Sequence, residues 1–124
     1  MGAAATFVGA SQLIALLDRT DPEHRNGDIA LRLELDAGPA LVTTNYEVVK
    51  ASLELRRRHG IDGPRKLLGE FLPFLHVEWC SRADHATAVA VHLSAGGGPG
   101  DLVDCVSAEI IRRTGATPMY WIDR

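Results

Sequence analysis

Apolar residues along this chain follow two alternating rhythms. Short continuous apolar runs at residues 4–8, 40–42, 75–79 and 117–122 predict strands covered on both faces. Between them lie longer segments with helical spacing. Ser11 is positioned to cap a helix over 12–18 that carries Leu13, Ile14, Leu16 and Leu17. Asp21-Pro22-Glu23 opens a second helix running to about Asp36, with Ile29, Leu31, Leu33 and Leu35 turned inward. The alternation at its end also suits a strand, and Gly38-Pro39 stops it. Thr43 or Thr44 caps a third helix through His59, with Tyr46, Val49, Leu53 and Leu55 facing inward, and Gly60 ends it. Asp62-Gly63-Pro64 begins a fourth, stopped near Pro73. Ser81 caps a fifth through Leu93, and residues 95–100 form a glycine-rich loop.

The clearest element comes next. Pro99-Gly100 breaks the chain, Asp101 caps, and Leu102, Val103, Val106, Ile110 and Ile111 form a stripe. Arg112 and Arg113 suit the negative end of the helix dipole, and Gly115 closes the helix in a left-handed conformation. Strands alternating with helices predict an α/β fold with a mostly parallel sheet. Sites on such sheets form at the carboxyl ends of the strands, where Gly9, Thr43, Thr44 and Asp123 fall.

Bulk properties narrow the class. The chain has 124 residues, 46% hydrophobic and 23% charged, and reads as one soluble domain over 1–124 without repeats. A net charge of −3 argues against nucleic-acid binding driven by bulk charge. Two cysteines, Cys80 and Cys105, are too few for a disulfide framework and point to a reducing compartment. The N-terminus matches the short myristoylation pattern but reads more simply as the approach to the first strand. It lacks the basic flank of a signal peptide, and no run is long enough to span a membrane. The expected location is cytoplasmic.

Candidate chemistry centres on acids. Asp101 and Asp104 share a helix face, and a first-turn aspartate could meet Asp123 at the end of the last strand. Asp104 could equally serve only the helix dipole, and Asp101 only as the cap. Glu47, Lys50 and Glu54 are spaced as an ordinary ion-pair ladder. Arg56-Arg57-Arg58-His59 suits a solvated helix end, or RNA phosphates if Arg65 and Lys66 extend it. His76, His85 and His92 lack metal-ligand spacing. Phe71, Trp79 and Trp121 fit core or interface better than base stacking.

The order of these pieces resembles a PIN domain, in particular the small toxins of VapBC-type toxin–antitoxin pairs. The resembling stretches are Phe7-Val8-Gly9-Ala10-Ser11, Asp21-Pro22-Glu23-His24, Val42-Thr43-Thr44-Asn45-Tyr46, Leu55-Arg56-Arg57-Arg58-His59-Gly60, Gly100 through Ser107, and Ile122-Asp123-Arg124. The resemblance implies a three-layer α/β/α domain around a central sheet of about four to five strands. It implies a ribonuclease using about four acids to hold Mg²⁺ or Mn²⁺, with RNA and a small antitoxin protein as partners and a homodimer as the assembly. Asp104 and Asp123 fall on two of the acidic positions. Gly9 and Lys50 occupy the other two, so the resemblance also implies an altered site. The Lys50 ammonium could sit between Asp104 and Asp123, supplying charge without a Lewis-acid water. Glu47 and Asp101 are possible auxiliary acids. Two functions follow: a weakened or inactive nuclease, or a non-catalytic module that binds an antitoxin-like peptide, RNA or a second copy.

Overall fold

The computed structural model describes residues 5–38 and 40–119. Strand β1 (Thr6–Phe7) leads into helix α1 (Ala10–Leu17), followed by α2 (His24–Ala37). Strand β2 (Leu41–Thr44), α3 (Asn45–His59) and the short α4 (Asp62–Arg65) come next. The helical path then widens into a π turn over Lys66–Phe71 and tightens into a 3-10 turn over Leu72–Phe74. Pro73, which has no N–H to donate, lies in that tightened end. Strand β3 (His76–Glu78), α5 (Arg82–His92), α6 (Leu102–Thr114) and β4 (Thr117–Pro118) complete the described chain.

All pairings in the four-stranded sheet are parallel, in the order β3-β2-β1-β4. Helices flank the sheet, giving the expected three-layer arrangement. Chain order runs outward from β1 to β3 on one side and then jumps back to place β4 on the other. Thr6 pairs with Leu41 and with Thr117, so β1 is interior. The reversal between β1 and β4 leaves a crevice at their carboxyl ends, the place where α/β sheets bind ligands.

Two apolar clusters hold the layers together. One joins Val8, Leu13, Ile14, Leu41, Val48, Ala51, Leu55, Leu67, Leu75 and Met119, and so links the sheet to α1, α3 and the π turn. The other joins Ala88 on α5 to Cys105, Val106 and Ile110 on α6, with Tyr46 and Cys80 against it. Gly115 closes α6 with a φ of 76°, a left-handed value that favours glycine.

Several expectations need correction. Ser11 does not cap α1: the cap position is Gly9, and Ser11 lies inside the helix. In α2 only Gly27 and Ala30 are buried, while Ile29, Leu33 and Leu35 face solvent. Residues two apart cannot share one helical face, so the 29–35 alternation could not all turn inward. In α3 the buried face is Glu47, Val48, Ala51 and Leu55. Val49 and Leu53 point outward, 59% and 68% exposed. Trp79 is 71% exposed, while Phe71 packs on the first cluster. Trp121 and the expected strand beyond Met119 lie outside the described residues.

The caps at Thr44, Ser81 and Asp101 form as expected, each side chain accepting a backbone N–H of the first turn. Where α4 crosses the end of α3, Gly63 is required by close approach. A Cβ there would lie 2.6 Å from the Leu55 carbonyl oxygen, which is backbone and cannot swing away. Gly63→Ala is expected to lower unfolding stability by about 2 kcal/mol, read from a urea or thermal melt.

Candidate functional site

The crevice between β1 and β4 opens into a cleft of about 590 Å³. Phe7, Ile14, Ile111, Pro118 and Met119 give it an apolar side, and Gly9, Glu47, Lys50, Asp104 and Ser107 give it a polar one. Each polar residue arrives for a local reason. Gly9 follows β1 at the cap of α1. Glu47 and Lys50 lie one turn apart on α3. Asp104 and Ser107 lie one turn apart at the start of α6.

Glu47 and Ser107 are the deepest of these, each 5% exposed. Glu47 Oε1 accepts the Ala10 N–H at 2.8 Å, and Glu47 Oε2 accepts the Ser107 hydroxyl at 2.5 Å. Burial pushes the Glu47 carboxyl above the usual range. The two hydrogen bonds and the nearby Lys50 ammonium oppose that push, while Asp104 reinforces it. Ser107 and the Ala10 amide were not among the candidate groups identified from sequence. The available signal was a serine three residues after Asp104, on the same face of the helix.

Lys50 reaches Asp101, its Nζ 2.7 Å from Oδ2. The Asp101 hydrogen bond holds its ammonium above the ordinary lysine range, and Lys50 in turn lowers the Asp101 carboxyl. Asp101 and Asp104 form a reciprocal cap. The Asp104 N–H donates to Asp101 Oδ1 at 2.8 Å, and the Asp101 N–H donates to Asp104 Oδ2 at 3.0 Å. Asp104 thus serves the helix terminus and lines the cleft at once. Asp123 lies outside the described residues.

A divalent ion wants several free oxygen ligands. Gly9 offers no side chain, both Glu47 oxygens already accept hydrogen bonds, and Lys50 brings a cation into the same wall. Among the described residues, no three Asp, Glu, His or Cys side chains converge as a metal would need. The described residues do not by themselves supply the oxygen set that Mg²⁺ or Mn²⁺ takes.

The arginine run is largely engaged elsewhere. Arg58 bonds Asp18, Asp21 and Glu54, each at 2.8 Å, and Arg57 grips Glu54. Arg56 is exposed. Asp18, buried at the end of α1, also accepts from Thr20 and lies 2.9 Å from His59 Nε2. Burial would raise its carboxyl, but the hydrogen bonds from Thr20, Arg58 and His59 outweigh that and hold it well below the usual range. This cluster sits where α1 and α3 end, opposite the cleft. An RNA-contacting role for Arg57 and Arg58 would break these pairs.

Two solved structures are similar to this chain. VapC20 from Mycobacterium tuberculosis, described as a sarcin-ricin loop cleaving toxin, matches with a TM-score of 0.81 and 22% identity. The match covers 96% of this chain and 90% of that one. VapBC2 from Rickettsia felis, solved with a DNA fragment from its promoter, matches with a TM-score of 0.68 and 12% identity, over 92% and 85%. No family model and no curated protein sequence matches the chain.

Two outcomes test this geometry. The folded chain holds the Glu47 proton to higher pH than an unfolded glutamate does. That contribution to stability is fully present below the unfolded value and is lost as pH rises through the raised one. Glu47→Gln, whose amide can accept from Ala10 and donate to Ser107, should match the natural chain at acid pH and exceed it above that window. Urea midpoints across pH read this. Arg58→Ala should cost about 2 kcal/mol at neutral pH by stripping a buried carboxylate of a partner. The cost should shrink as pH falls through the carboxylate range, because the contribution of Asp18 is present above its unfolded value and lost below.

Proposed function

We propose that this protein, which has the fold of the VapC toxins, is a PIN domain of the metal-dependent ribonuclease type whose cutting chemistry is weakened or lost. The observation that carries this is the cleft wall itself. Glycine stands at the end of β1, and a lysine stands on α3 with its ammonium held by Asp101. Phosphodiester hydrolysis in a metal-dependent site needs an ion that offsets charge and also activates water. An ammonium can offset charge and donate hydrogen bonds, but it activates no water. Mg²⁺ or Mn²⁺ therefore binds weakly or not at all, and Asp104 and Asp123 remain as remnants of the acidic set.

What survives is a binding module. The outward apolar residues of α3 support this reading. Tyr46, Val49, Leu53 and Val103 line a groove of about 520 Å³ beside the Lys50–Asp101 pair. Such a face suits a second copy of the chain, while Ile29 and Leu33, exposed one turn apart on α2, suit a small antitoxin-like helix. RNA is the remaining partner, held by the cleft rather than by the engaged arginines. Among the described residues no helix is long and apolar enough to cross a membrane. Two free thiols, Cys80 and Cys105, support a cytoplasmic setting.

A magnesium titration followed by amide NMR tests the reading. Resonances of Glu47, Asp104 and their neighbours should stay in place at millimolar Mg²⁺, and single-stranded RNA should survive incubation. Localised shifts at those amides, together with cleavage abolished by EDTA, would overturn it.

A further inference from the structure

Gly9 presents a question that its backbone does not answer. Its φ of −92° and ψ of 179° are extended values that any residue adopts. What distinguishes the position is what lies beyond its Cα. A Cβ there would sit 2.9 Å from the Gln12 side-chain oxygen and 3.6 Å from Glu47 Oε2. The first is the movable tip of a flexible side chain and the second an ordinary contact, so a methyl group fits, whereas a longer acidic side chain would extend toward two acceptor groups.

Those groups partner the first amides at the start of α1. A helix start leaves backbone N–H groups without partners, and the residue at the cap usually supplies an oxygen. In α1 the cap residue has none. The Gly9 N–H donates instead to Gln12 Oε1 at 2.8 Å, and the Ala10 N–H donates to Glu47 Oε1 at 2.8 Å. Glu47 comes from α3, 37 positions away. A carboxylate at this end of α1 also meets the favourable pole of the helix dipole. Ser107 on α6 fixes its second oxygen, and Lys50 and Asp104 are the charged groups facing it.

We infer that Glu47 is the N-terminal cap of α1, supplied from another helix, and that acidic side chains at positions 9 and 47 exclude one another. The carboxylate absent from the end of β1 has a counterpart in the cleft, delivered from α3 and tied up as a positioning group. It orders the junction of α1, α3 and α6 rather than standing free for a ligand.

Substitution at the two positions, singly and together, tests this. Glu47→Ala should speed exchange of the Ala10 amide about tenfold and lower Tm by about 4 °C. In the natural chain Gly9→Asp should also lower Tm, since it crowds Gln12 and sets a second carboxylate beside Glu47. In the Glu47→Ala background the same Gly9→Asp change should raise Tm, because the new side chain can cap Ser11 or Gln12 locally. If Glu47→Ala does not fold, Glu47→Gln replaces it, and Gly9→Asp should then cost less than in the natural chain. Additive effects, or an Ala10 amide indifferent to loss of the Glu47 carboxylate, would overturn the inference. Magnesium binding by the natural chain would count against the proposed loss of nuclease chemistry, yet leave this reversal of sign intact.

Discussion

A single carboxylate with almost no access to water joins the three helices that frame the cleft. Glu47 accepts from the first amide of α1 and from a hydroxyl on α6 while riding on α3. A buried charge is unfavourable unless hydrogen bonds satisfy it, so this arrangement tolerates little displacement of any of the three elements. The cleft is defined less by the sheet, whose strands are short, than by this junction above it. The Lys50–Asp101 pair lies further out, where solvent weakens ion pairs, and it shapes charge more than stability.

The opposite end of the molecule is held differently. There the guanidinium of Arg58 gathers Asp18, Asp21 and Glu54, and only Asp18 is fully enclosed. Arginine suits this because its planar fork offers several fixed donors. The cluster fastens the loop after α1 to the end of α3, so α1 is anchored by charge at both termini. A run of three arginines that looked available to phosphates is thereby mostly occupied within the chain.

Much of the fold was legible in the sequence because local rules and tertiary structure agreed. Asp101, Ser81 and Thr44 are caps by chemistry and caps in fact. Gly38 and Gly115 end their helices in the left-handed conformation. Disagreement arose where a pattern had two readings. Leu31, Leu33 and Leu35 alternate, so a helix there must expose some of them. On α3, Val49 and Leu53 mark a real apolar face, but it is the outer one. The candidate site was half legible. Gly9, Glu47, Lys50 and Asp104 were named and lie together in the cleft. The bonds among them were not foreseen, because a cap delivered across 37 residues leaves no local signature.

The sheet order carries a temporal consequence. The wall opposite Gly9 is built by β4, whose Thr117 pairs with Thr6. Everything from β1 through β3 can pair as soon as it emerges from the ribosome, but the cleft has no second side until the segment after α6 arrives. Contacts so distant in sequence form late and slowly. A nascent chain would thus carry its apolar helical faces well before it possesses a finished pocket, and any partner that covers those faces could engage it first.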